Sequence, residues 1–109
     1  MRRVRFEAGK VSELKPDVGK IARLGEDGGE CLLVLHQGKV HAVGSLCPHQ
    51  NAPLHGAPAY NGEVTCMRHY YCFSLKSGDC LTARGYGIPV YEVTVEDDTI
   101  FVSDWEYDE

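Results

Sequence analysis

No part of the chain approaches the roughly 20 consecutive apolar residues of a membrane-spanning helix. Its longest apolar run, residues 31–35, is only strand-length. The start, Met1-Arg2-Arg3-Val4-Arg5-Phe6, is basic but no apolar stretch follows it. It does not read as a secretory leader, so a cytoplasmic protein without membrane attachment is expected. Internal repeats, low-complexity linkers and any helical period beyond one or two turns are also missing. Bases become scarce along the chain. Residues 1–30 carry seven Lys/Arg against six Asp/Glu, residues 31–109 four against ten, and the last 14 hold seven acids and no base. That balance argues against nucleic acid as a partner, because phosphate backbones are bound by basic footprints. It fits docking to a basic protein surface as well as it fits simple solubility. Five cysteines, an odd number, on a chain with no leader disfavour a disulfide framework.

What is present suits one small domain over residues 1–109, with 43% apolar residues to build a core. Such a domain buries a modest fraction of its surface, so a metal centre would help to hold it. Short strand signals between turn residues dominate. Strands are expected at 4–7, 19–24, 31–36, 40–44, 64–66, 71–73, 88–95 and 99–102. One helical turn is expected at 12–16, stopped by Pro16. Gln37-Gly38-Lys39 and Glu96-Asp97-Asp98 read as hairpin turns, and residues 26–29 and 77–79 as further turns. Residues 45–63, with Pro48, Pro53, Pro58, Gly56 and Gly62, read as a long functional loop. The class is all-β, with a loop-built insert at about 45–83. An acidic tail at about 103–109, including Trp105 and Tyr107, is expected to be disordered.

Two Cys/His pairs carry the chemistry. Cys47-Pro48-His49 is C-x-H, Cys66-Met67-Arg68-His69 is C-x-x-H, and 16 residues separate His49 from Cys66. Thiolates are soft ligands for zinc and iron–sulfur clusters, and imidazole suits iron, zinc and copper. A structural Cys2His2 zinc site and a [2Fe–2S] cluster with two Cys on one iron and two His on the other both fit. Two matched pairs speak against four unrelated loop residues. Zinc fingers more often pair Cys with Cys and His with His, whereas one mixed pair per loop lets each loop reach both irons.

With these residues the sequence resembles the Rieske family. The resemblance covers residues 1 to about 103. It includes Cys47-Pro48-His49-Gln50-Asn51-Ala52-Pro53-Leu54 in the first loop and Cys66 to His69, Phe73 and Ser77-Gly78 in the second. It implies an antiparallel β-sandwich or barrel with a small cluster-binding subdomain of two loops. It also implies a Rieske-type [2Fe–2S] cofactor held by Cys47, His49, Cys66 and His69. Respiratory members add a cysteine to each loop and bridge them. Ala52 and Arg68 stand at those positions, so this chain resembles the soluble ferredoxins of ring-hydroxylating oxygenase systems. The implied role is one-electron transfer from a ferredoxin reductase to a terminal oxygenase, by a monomeric carrier rather than an enzyme. A carrier in another redox chain, akin to the small subunit of nitrite reductases, is the alternative within the family. A zinc-stabilised interaction module is the alternative outside it.

The charge count explains the ligand choice. Two ferric ions, two sulfides and two thiolates sum to zero. An all-cysteine cluster would be two units more negative, so the histidine cluster is easier to reduce. Respiratory members add side-chain hydroxyl donors that raise the potential; Tyr70 and Tyr71 are the candidates here, their direction not given by the sequence, and a low potential for this kind of centre is expected. Backbone N–H groups of residues 48–52 and 67–71 are the expected donors to sulfur. Tyr70 departs from the family, which often has Gly after the second His; Tyr71 stands in for a Trp-like residue. His55 reads as a rim residue beside the first loop. His36 and His41 read as strand residues beside a turn. Cys31, Cys72 and Cys80 read as packing residues.

Overall fold

The structure, a computed structural model, describes residues 2–24, 29–47, 52–60, 62–67, 70–82 and 85–106. Six strands form one antiparallel sheet in the order β1-β11-β10-β4-β3-β2. They are β1 (Arg2–Lys10), β2 (Lys20–Arg23), β3 (Glu30–His36), β4 (Lys39–Gly44), β10 (Val90–Glu96) and β11 (Thr99–Glu106). The edge strands β1 and β2 come back into contact, so the sheet nearly closes on itself. Two smaller units complete the fold: β5 (Leu46–Cys47) with β6 (Ala52–Pro53), and a three-stranded sheet of β7 (Ala59–Tyr60), β8 (Glu63–Thr65) and β9 (Cys72–Ser74). No helix among the described residues is long and apolar enough to cross a membrane.

The unbroken apolar run in β3 has a structural reason. A strand covered on both faces needs no polar alternation. Leu32 and Val34 face the small sheet, in a core shared with Ala59, Val64, Phe73 and Leu75. Cys31 and Leu33 face the other way, into a core shared with Ile100 and Val102 of β11. The β3–β4 hairpin closes with His36 opposite Lys39. That leaves a two-residue turn with φ of 51° at Gln37 and 77° at Gly38. Both values are positive, as in the primed turn that matches strand twist.

Several elements differ from expectation. The strand expected at 4–7 runs from Arg2 to Lys10, and the strand expected at 99–102 continues to Glu106. Each lengthens the other: Arg2 pairs with Glu106, Arg3 with Trp105 and Val4 with Asp104. The expected acidic tail therefore begins as a paired strand at 103–106, and residues 107–109 lie outside the described residues. The turn expected at 12–16 is a 3-10 turn at Val11–Glu13. Pro16 disfavours a helical Lys15 and instead bridges to Leu35. The stretch 45–63, expected as loop, contains β5, β6 and β7. Their two-residue lengths leave too little periodicity to read. The turn expected at 26–29 falls mostly on residues outside the description.

Candidate metal centre

Both Cys/His motifs begin at a cysteine beside a short strand. In the first, Cys47 is the last residue of β5 and pairs with Ala52, the first residue of β6. In the second, the N–H of Cys66 donates to the carbonyl of Tyr71 at 2.8 Å, and the N–H of Tyr70 donates to the carbonyl of Cys66 at 2.7 Å. These two bonds hold Cys66 against Tyr70 and Tyr71. Cys47 thus ends β5 and Cys66 directly follows β8, and in the sequence each is followed two or three residues later by a histidine.

Cys47 and Cys66 are 0% and 1% exposed and belong to one core cluster with Leu54, Val64 and Phe73. The tertiary fold has therefore brought both thiols to one buried region from two separate hairpins. His49, His69, Pro48, Gln50, Asn51 and Arg68 lie outside the described residues. None of the five cysteines, all of them described, is in a disulfide. Among the described residues no three His, Cys, Asp or Glu side chains converge, so no rival centre is built from them. The residues present fit a [2Fe–2S] group: two soft donors lie in one buried apolar cluster, and each is followed in the sequence by an imidazole.

The surroundings fix the first loop to the large sheet. Leu54 N–H donates to the Ser45 carbonyl at 2.9 Å, Gly19 N–H to the Ala57 carbonyl at 2.9 Å, and Gly56 N–H to the Gly19 carbonyl at 2.7 Å. His55 joins them, its Nδ1 accepting the Ile21 N–H at 3.2 Å. That bond ties a cluster loop to β2, a role the sequence does not reveal. On the second loop, Cys72 lies half-buried, with Sγ 3.5 Å from the Thr65 hydroxyl and 3.8 Å from the Tyr70 carbonyl. Phe73 pairs with Cys80 across a bridge. Cys80 therefore shares Phe73's side of the strand and Cys72 lies on the other, which separates the two thiols.

Tyr70 is the residue whose setting explains a departure from the family pattern. Its φ is 59°, a left-handed value that glycine adopts freely and a tyrosine adopts at a cost of about 1–3 kcal/mol. The tip demands that conformation, which is why glycine suits the position. The tyrosine ring is 68% exposed, so it neither fills the core nor caps it. Tyr70's N–H is already committed to Cys66, so it is not among the donors left for sulfur. Met67 and Leu46 beside the tips are also exposed.

Comparison with known proteins bears on the same residues. The model of the Rieske [2Fe-2S] domain matches residues 4–92. Among curated proteins, human apoptosis-inducing factor 3 is 35% identical over 75 residues, 68% of this chain and 12% of that protein. The ferredoxin component of the alkene monooxygenase system of Xanthobacter autotrophicus is 30% identical over 74 residues, 67% of this chain and 61% of that protein. The chain thus spans about an eighth of the length of the first relative and three fifths of the second. Among solved structures, a protein from Mycobacterium tuberculosis described as an NADH-dependent nitrite reductase small subunit aligns with a TM-score of 0.86. It is 26% identical, and the match covers 98% of this chain and 100% of that one. The ferredoxin of carbazole 1,9a-dioxygenase from Nocardioides aromaticivorans aligns with a TM-score of 0.80 at 26% identity, over 91% and 96%.

Proposed function

This chain belongs to the Rieske [2Fe–2S] domain family, and from that premise we propose that it is a ferredoxin passing single electrons from a reductase to a terminal oxygenase. As a Rieske electron carrier it uses a cluster whose bound form supplies a one-electron couple. In this reading Cys47 and Cys66 would hold one iron and His49 and His69 the other. The observation that carries it is the burial of Cys47 and Cys66 in one core cluster, each at the start of a Cys/His motif. Buried thiolates would shield one side of the centre and leave the histidine-bound side to meet a partner. Leu46, Met67 and Tyr70 supply exposed apolar surface there, and Pro48, Pro53 and Leu54 complete the loops. Likeness to the ferredoxin components of an alkene monooxygenase and of a carbazole dioxygenase supports oxygenase service.

A second reading has its own support. The nitrite reductase small subunit aligns over nearly the whole of both chains, so service to such a reductase fits the fold equally well. In both readings the chain acts as one Rieske domain over 1–109, a monomeric cytoplasmic carrier.

The purified protein is expected to be red-brown and to give a rhombic paramagnetic resonance signal on reduction. His69→Cys is expected to lose or convert that signal, while His55→Ala keeps it. A colourless, zinc-loaded protein from an anaerobic preparation would overturn the ligand assignment. Reduction by an oxygenase reductase and delivery to its oxygenase, against delivery to a nitrite reductase large subunit, separates the two partner readings.

A further inference from the structure

The face of the β3–β4 hairpin that meets the small sheet changes character along its length. Leu32 and Val34 are buried there against Ala59, Val64, Phe73 and Leu75. His36 follows Val34 on the same face, and His41 stands opposite Val34 in register. At that end the two sheets part around a cavity of about 640 Å³, lined by Lys39, His41, Glu63, Ser74 and Lys76 among others.

The groups in this cavity form a surplus of unanswered positive charge. Residues 31–109 hold four Lys/Arg, and two of the four, Lys39 and Lys76, are here. Among the described residues neither has a carboxylate partner. His36 is engaged with Asp17 at 2.6 Å. The Ser74 hydroxyl oxygen accepts the N–H groups of Lys76 at 3.2 Å and Ser77 at 3.3 Å. Its own proton is left to donate elsewhere. Glu63 is the single acid of the lining.

We propose that this cavity binds a dianionic oxyanion of the phosphate class, held by Lys39, Lys76 and the Ser74 hydroxyl. Lysine serves phosphate as a point charge, and no arginine fork of the kind that favours planar carboxylates lines the cavity. The volume lies within the range of small-molecule sites. None of the residues lining the cavity belongs to either Cys/His motif.

His41 makes the site pH-sensitive. Burial lowers its pKa, and Lys39 and His36 lower it further; a hydrogen bond to the Leu75 backbone raises it, and Lys76 lowers it. A bound dianion answers those cations and favours protonated His41. By reciprocity, protonation of His41 favours the dianion. Asp17, acting through His36, and Glu63 are the opposing charges.

Calorimetry on the cluster-loaded protein at constant ionic strength tests this. The probes are sulfate, inorganic phosphate, adenosine monophosphate and chloride. Sulfate keeps its charge with pH, so its binding is expected to be saturable and to tighten as pH falls through the His41 titration. Lys39→Ala and Lys76→Ala are each expected to weaken it about tenfold, the low end for one charge-assisted contact. Glu63→Gln is expected to tighten it. Tighter binding of adenosine monophosphate than of phosphate assigns a monoester as the ligand, and equal binding assigns the free oxyanion. Absence of saturable binding, equal competition by chloride, or unchanged affinity in both lysine variants overturns the proposal. The resonance signal of the cluster stays constant throughout, so failure here is distinguishable from failure of the electron-carrier reading.

Discussion

Tyr70 sets two opposing costs against each other. A left-handed tyrosine costs about 1–3 kcal/mol in strain. Replacing it by glycine loses about 0.5–1 kcal/mol through greater freedom of the unfolded chain. Strain is the larger effect, and the ring is too exposed for its removal to cost much packing. Tyr70→Gly is therefore expected to stabilise the protein by about 1 kcal/mol in urea unfolding, with the resonance signal unchanged. A loss of stability would show that the ring packs on the neighbouring tip. Tyr70 is thus strained and largely exposed, so its side chain contributes little to the core.

At the scale of elements, the turn following β9 shows how tightly the insert is tied to the sheet. Gly78 N–H donates to the Ser74 carbonyl at 2.8 Å and its own carbonyl accepts the Ile88 N–H at 2.8 Å. A methyl group on Gly78, whose φ is 77°, would lie 2.0 Å from the Ile88 carbonyl oxygen. Backbone there cannot give way without breaking that pair of bonds. Gly78→Ala is expected to cost on the order of 3 kcal/mol. Gly38 has the same φ but open space around it, so Gly38→Ala is expected to cost only the strain, about 1 kcal/mol. Urea midpoints of the two variants compare clash with strain directly, and equal losses would remove the clash from the account. This tie joins residue 78 to residue 88 across the insert. The Ser77-Gly78-Asp79 turn was readable from its residues, but its contact was not.

For the molecule as a whole, His41 links stability to pH. Its pKa is lowered in the folded state, mainly by burial and then by Lys39 and His36. The unfolded chain therefore binds more protons than the folded one below the ordinary value of about 6.5. Stability from this group is complete above that value and is lost as pH falls through it toward the folded-state value. His41→Gln is expected to flatten the slope of stability between about pH 7 and 5, measured by urea midpoints in chloride buffers. An unchanged slope would place the pH dependence on other groups. At the same scale, the redox midpoint is expected to lie low within the range of about −150 to +300 mV for histidine-ligated clusters, and a strongly positive value would contradict that low-potential expectation.

The sequence by itself determined what depends on neighbours in the chain. Two cysteines, each followed by a histidine at C-x-H or C-x-x-H spacing, specify a candidate donor set. Ala52 and Arg68 specify that no cysteine bridges the loops. Alternation and turn residues specify hairpins such as β3–β4 and β10–β11. Tertiary structure decided what depends on convergence. It placed Cys47 and Cys66 in one buried cluster. It covered both faces of β3, and it carried β1 and β11 along each other to Glu106. It showed that position 70 requires a left-handed backbone, and it gathered Lys39, His41 and Lys76 from two elements around one cavity. The physical reason is range. Ligand spacing and turn chemistry act over a few bonds, whereas burial, paired edges and unanswered charge exist only after distant segments have packed.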